Sequence, residues 1–206
     1  MEPTTLYPVL LGLALAASTG LNTFLPLLTQ SAASYFKLVN PEQILNGNFA
    51  WIASPAALTA LGLATTVEVI GDKIPLVDHA LDTFGTFARP LVGAFATASV
   101  FTQGDPAMAA IAGLAMGAPV AFGFHAAKAG TRAASTTTTF GVGNPILSVL
   151  EDVAAVAMTF VGIMYPWLVP ILLIVAALVM WRLFVAARKT FDKSRGFFGR
   201  SKITAR

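Results

Sequence analysis

Glu68 and Asp72 stand four residues apart, Asp78 and Asp82 repeat that spacing, and Glu151 and Asp152 are adjacent. On a helix a spacing of four places two side chains on one face. Two carboxylates on one face repel unless a proton or a cation lies between them, which makes Glu68 and Asp72 a candidate metal pair. Oxygen ligands of this kind suit hard cations such as Ca²⁺, Mg²⁺ or Mn²⁺. Adjacent helical residues point about 100° apart, so Glu151 and Asp152 are expected to face different surroundings, one a partner and the other a cavity. Acids in a first turn also complement the positive end of the helix dipole. The matching bases are Lys73, Arg89, His125, Lys128 and Arg132. The last three are spaced three and then four, one stripe of a helix that Ser135 would continue. Ion pairs to Glu151 or Glu68 would offset their burial, and His125 could relay protons. Lys128, at a helix end, could instead snorkel to the interface. The expected ion-binding or proton-relay set is Glu68, Asp72, Asp78, Glu151, Asp152 and His125. Lys73, Arg89, Lys128 and Arg132 would balance its charge or bind an anion.

The elements that carry these residues must sit in hydrocarbon. The 206-residue chain is 56% hydrophobic and only 11% charged, with a mean hydropathy of +0.74, too apolar for a soluble domain. Charged side chains at the centre of a bilayer cost on the order of 3 kcal/mol each, so their retention points to partners or tasks. Apolar stretches occur at residues 7–28, 51–70, 90–102, 107–127, 146–164 and 167–187. The expected fold is all-α: a polytopic membrane bundle of about six helices. The third stretch is short and could span at a tilt, merge with what precedes it, or re-enter. If residues 71–89 and 128–145 and the tail lie inside, they hold every Lys and Arg except Lys37. That bias predicts an even number of passes and cytoplasmic N- and C-termini in a bacterial inner membrane. The acidic start Met1-Glu2-Pro3 lacks the basic region of a signal peptide, so the first stretch is read as a spanning helix.

Two zones interrupt the pattern. Gly20, Asn22 and Pro26 break the first stretch, and Pro26 would free a carbonyl one turn back. Residues 130–145 form a second irregular zone with Gly141, Gly143, Asn144 and Pro145, Pro145 suiting the first turn of a helix and Asn144 its N-cap. Each half of three helices pairs an interrupted segment with an acid-bearing helix, consistent with an inverted 3+3 repeat. Residues 1–187 are expected to form the membrane domain, and 188–206 a basic cytoplasmic tail for anionic lipid. The small residues Gly113, Ala115, Gly117 and Ala121 would let helices approach within a chain or between copies in a homo-oligomer.

The absence of Cys removes disulfides and thiolate chemistry. Two histidines, His79 and His125, offer no His-Glu-x-x-His motif, and Gly-x-Ser-x-Gly and Walker motifs are also absent. An enzyme, a cofactor and a nucleic-acid partner are therefore not expected. Glu68-Val69-Ile70-Gly71-Asp72-Lys73 resembles the Glu-x-Gly-Asp-Lys-Ser/Thr signature of a family of divalent-cation/proton exchangers, with one extra residue and Ile74 in place of the hydroxyl. A longer resemblance, over residues 11–164, is to bacterial membrane proteins grouped as domain of unknown function 4126. It is carried by Gly20-Leu21-Asn22-Thr23-Phe24-Leu25-Pro26, by Asp72-Lys73-Ile74-Pro75-Leu76-Val77-Asp78 and by Asn144-Pro145-Ile146-Leu147-Ser148-Val149-Leu150-Glu151-Asp152. It implies kinship without an activity. From the residues, the expected function is a small secondary transporter, coupled to protons or a cation through intramembrane carboxylates. Its partners would be membrane lipids and a small ion or small-molecule substrate. One alternative is a transporter of lipid-linked or amphipathic anions held by Arg89, Lys128 and Arg132. Another is a non-transporting scaffold whose ion pairs staple helices together.

Overall fold

The computed structural model describes residues 3–101, 105–182 and 185, without the side chains of residues 3–5, 75, 76 and 79. The expected basic tail, 188–206, lies outside the described residues, as does the end of the sixth apolar stretch. The fold is all-α: α1 (Pro3–Leu21), α2 (Leu25–Tyr35), α3 (Pro41–Ile44), α4 (Pro55–Gly71), α5 (Pro75–Ser99), α6 (Pro106–Ala112), α7 (Ala118–Thr139) and α8 (Asn144–Met164). A final helix, α9, covers Pro166–Arg182. A 3₁₀ segment, Gly47–Ala53, precedes α4, and a π turn, Gly113–Gly117, joins α6 to α7 as one rod.

α1 is the central helix, packed against α5, α7 and α8. Its Leu11, Ala14, Leu15, Ala16, Ala17, Ser18 and Thr19 are fully buried. Small side chains allow this, and the two hydroxyls are satisfied by their own helix: Ser18 and Thr19 donate to the carbonyls of Ala14 and Leu15, each at 2.8 Å. Close approach is local and specific. A Cβ on Gly20 would meet Phe124 Cβ, Ala121 O and, at 3.1 Å, His125 N. A Cβ on Gly117 in the π turn would meet Thr97 Cβ of α5 at 2.8 Å. The small-residue run at Gly113, Gly117 and Ala121 therefore serves packing within the chain.

The first apolar stretch is not one pass but a reversal. Thr97 of α5 donates to the carbonyl of Gly12 in α1 at 3.0 Å, while Ser99, half a turn further along α5, accepts from Gln30 of α2 at 3.2 Å. Residues 12 and 30 thus lie at one level, and α1 and α2 form a hairpin that turns at residues 22–24. Leu11, Leu15, Leu27, Ile44, Ile52, Val100 and Ile163 join in one core cluster, and Tyr7 donates to the Ile163 carbonyl at 3.1 Å. The start of α1 and the segment bearing Lys37 share that end of the bundle. Among the described residues, seven helical legs run between the two ends: α1, a shorter α2, α4, α5, α6 with α7, α8 and α9. The described chain therefore starts and stops at opposite ends of the bundle, and the expected six passes with both termini on one side are not shown. The reversal arises because Pro26 does not kink a continuing helix. It occupies the first turn of a new one, where a missing N–H costs nothing.

Two other zones resolve. Most of residues 71–89 is helix, since α5 begins at Pro75 and merges the short third stretch with what precedes it, one of the outcomes expected of that stretch, with Pro90 inside the helix. The zone from residue 130 stays helical to Thr139, where Thr137, Thr138 and Thr139 hydroxyls return bonds to carbonyls of their own helix. Phe140 (φ 53°) and Gly141 (φ 83°) then make the left-handed turn into α8.

Among the described residues two helices, Pro106–Thr139 and Asn144–Met164, are long and apolar enough to cross a membrane, and Gly47–Ala53 with Pro55–Gly71, bent by 67°, would make a third. The polarity is inverted relative to a soluble protein. Leu63, Val67, Phe84, Phe87, Leu91 and Ile174 face outward, while Arg89, Lys128 and Arg132 are buried. A hydrocarbon surround explains both halves of that pattern.

Candidate functional site: a buried charge cluster

At the α1–α2 reversal the polar ends of two helices are buried, with Asn22 and Thr23 inside the protein. The last carbonyls of α1 and the first amides of α2 have no partners within their own helices. Charged side chains from the rest of the bundle supply them. Arg89 Nη1 donates to the Gly20 carbonyl at 3.3 Å and Lys128 Nζ to the Leu21 carbonyl at 2.8 Å, cations at a helix C-terminus. On the opposite side of the turn, the Glu68 carboxylate accepts from Thr23 N at 2.9 and 3.0 Å, from the Thr23 hydroxyl at 2.8 Å and from Phe24 N at 3.3 Å. Asn22 finishes the turn: its Oδ1 accepts from Leu25 N at 3.0 Å, and its Nδ2 donates to Asp152 at 2.9 Å.

Around this turn the bases form a column. Arg89, fully buried, pairs with Glu68 at 3.3 Å and lies 3.7 Å from Asp82. Lys128 pairs with Asp72 at 3.1 Å and Glu151 at 3.3 Å. Arg132 bridges Asp72 at 3.2 Å, Glu151 at 2.8 Å and Asp78, with Asp82 at 3.9 Å. The four-residue spacing of Asp78 and Asp82 therefore presents both to one guanidinium. Lys128 does not snorkel. Its ammonium is inside the protein because three oxygens there replace its water. Glu151 and Asp152 diverge: Glu151 turns to Lys128 and Arg132, whereas Asp152 meets Asn22 and, at 3.7 Å, the exposed Lys73.

His125 lies between Arg89 and Thr86. Arg89 Nη1 is 2.6 Å from His125 Nδ1, and a guanidinium has only donors, so that nitrogen accepts and the ring is neutral. Its Nε2–H then points to the Thr86 hydroxyl at 3.2 Å, which donates to the Asp82 carbonyl at 3.1 Å. A polar cavity of about 490 Å³ opens beside this chain, lined by Asp78, Asp82, Thr86, His125, Arg132 and Asn144 among others.

Glu68 and Asp72 share a helix end but not a ligand, since each carboxylate turns to different bases. Among the described residues no three His, Asp or Glu side chains converge as a metal-holding group. Asn144 is not the N-cap expected of it. It is the first residue of α8, behind Gly143, and its side chain reaches back to Thr136 at 3.0 Å. Pro145 does occupy the first turn, and Gly143 packs where a Cβ would meet Ser135 Oγ at 2.7 Å. Sequence reasoning missed Thr23 and Thr86 and left Asp82, though paired with Asp78 by its spacing, out of the expected set. A signal existed in the spacing: Asp78, Asp82, Thr86 and Arg89 run 4, 4 and 3 along one face of α5. The spacing of Asp78 and Asp82 was noted, but the face was not followed on to Thr86 and Arg89.

The fold and the cluster define an all-α protein of membrane-spanning composition whose core is ionic. The chain belongs to the family described as domain of unknown function (DUF4126), whose profile matches residues 9–186. No curated protein and no solved structure matches it. The family match accords with the longer of the two sequence resemblances and adds nothing to the exchanger signature.

Proposed function

We propose that this chain is a small secondary transporter of the bacterial inner membrane, coupled to protons or to a cation through its buried carboxylates. The observation that carries the reading is a charge imbalance. Glu68, Asp72, Asp78, Asp82 and Glu151 face only Arg89, Lys128 and Arg132 within the network. His125, neutral, adds nothing. A surplus of two negative charges away from bulk water calls for protons or a cation to neutralise it. A cluster serving only to staple helices needs no such surplus. In this reading the charged end of the bundle faces the cytoplasm, following the Lys and Arg bias, and the start of α1 faces the opposite side with Lys37. Seven legs do not divide into two equal halves, so the reading uses no inverted duplication.

An amphipathic anion is the second reading. An apolar cavity of about 400 Å³ between α7, α8 and α9 has Lys128 and Glu151 on its wall among residues such as Leu147, Leu150, Met158 and Val175. A hydrocarbon chain fits such a lining and a headgroup would lie toward Lys128.

Proteoliposomes distinguish these readings. On jumps in proton or monovalent-cation concentration, reconstituted protein should give a transient charge displacement, and Asp82→Asn should reduce it by more than half. Asp82 borders the polar cavity and is the least enclosed of the surplus acids, so its replacement leaves the buried pairs in place. A wild-type response no larger than that of empty liposomes would overturn the proposal in favour of a scaffold.

A further inference from the structure

Below the main cluster, where α4 and α7 end and α5 and α8 begin, lies a second, smaller cavity of about 130 Å³. Asp72, Asp78, Thr136, Phe140, Gly141 and Asn144 border it, with Lys73 at its rim. We propose that it binds a monovalent metal cation of about the size of sodium, held by the carboxylate of Asp72 and the amide oxygen of Asn144. This inference rests on the reading of the chain as an ion-coupled protein and names the ion and its place.

Three observations lead there. Asp72 is only 2% exposed, yet while its Oδ2 serves Lys128 and Arg132, its Oδ1 has no hydrogen-bond partner. Asn144 Oδ1 is also buried and without a partner, its amide nitrogen being engaged by Thr136. Both are acceptors bordering one cavity, and a buried carboxylate oxygen left unmatched is costly. A cation satisfies both oxygens at once.

The charge balance has the right sign. The charged residues on the cavity wall are Asp72, Asp78 and Lys73; the network behind them adds Asp82 and Glu151 against Lys128 and Arg132, Arg89 is matched by Glu68, and Lys73 is turned outward to Val69 O and Asp152. Four carboxylates against two buried cations leave two negative charges uncompensated. Two helix C-termini and two N-termini meet here, so their dipoles largely cancel and the side chains set the potential. Size and donor number select the ion. A liquid water occupies about 30 Å³, so the cavity takes an ion with one to three waters. A divalent ion prefers six or more oxygens, several of them carboxylate, and the described residues bring no third acid to the space.

The test uses the purified full chain in detergent, titrated at constant ionic strength with NaCl, KCl or choline chloride. Above its Kd, sodium should raise Tm with the logarithm of its concentration, by roughly 5 °C at a hundredfold excess, and choline should not. Asp72→Asn loses two ion-pair partners and could fail to fold. Asn144→Ala, whose side chain otherwise holds only Thr136, is the informative variant: it should weaken the apparent sodium affinity at least tenfold. Identical curves in the three salts would mean that the cavity holds water only, and an unchanged sodium response in Asn144→Ala would place the ion elsewhere. Either result overturns this site. If charge displacement on proton jumps persists in proteoliposomes while sodium has no effect, the coupled-transport reading survives without the site; if both are absent, both fail.

Discussion

Glu68 has the most consequential side chain in the cluster for stability. Its carboxylate closes the turn between α1 and α2 by accepting from two backbone amides and a hydroxyl, and it is also the nearest anion to the fully buried Arg89. Removing one partner of a buried pair costs about 3 kcal/mol or more, because the other charge stays in low dielectric. Glu68→Gln is accordingly expected to destabilise the protein by about that amount, read from unfolding in mixed micelles. A loss below about 1 kcal/mol would mean that Asp82 alone compensates Arg89. The partnership of Glu68 with Arg89 was not legible in the chain. An acid after a long apolar run announces a buried task, but 21 residues separate the two, and only packing decides which base arrives.

Helix packing depends on where backbones touch, and the glycines separate into two kinds. Gly20 lies against the α7 backbone, so an added methyl meets atoms that cannot swing aside. Gly20→Ala should cost about 2 kcal/mol and loosen the contact that places Arg89 and Lys128 over the end of α1. Gly123 is also on a helix, but nothing lies within 4 Å of its would-be Cβ. Gly123→Ala should be neutral or stabilise by up to about 1 kcal/mol through helix propensity. Thermal unfolding of the two variants side by side tests the contrast, and equal effects would contradict it. Both glycines look alike in the sequence. The difference lies in a crossing between helices a hundred residues apart in the chain.

For the molecule as a whole, the reversal at residues 22–24 sets the topology. In the proposed orientation, with the charged end in the cytoplasm, the exposed Glu42 and Val142 would lie on opposite faces of the membrane. The chain has no native cysteine, so Glu42→Cys and Val142→Cys can be labelled singly with an impermeant maleimide. Glu42→Cys should react from the periplasmic side and Val142→Cys from the cytoplasmic side. An epitope fused ahead of Met1 should appear with Glu42. Its appearance with Val142 instead would restore a single pass for the first stretch and remove the hairpin.

Composition and periodicity were sufficient for the all-α class and the apolar exterior, a resemblance of motifs gave the family, and the acids and bases of the cluster stood out as charges among apolar runs. These are local properties: hydrocarbon solvent selects apolar runs, and a charge retained among them is conspicuous wherever it sits. The pairing of those charges, the neutral state of His125, the reversal at Asn22 and the acceptor oxygens left open at Asp72 and Asn144 required the folded chain. Each depends on distances between segments 21 to 130 residues apart, and sequence spacing encodes geometry only along one helix. A proline in a first turn and a proline in a kink read identically until the neighbours that cap the broken ends are in place.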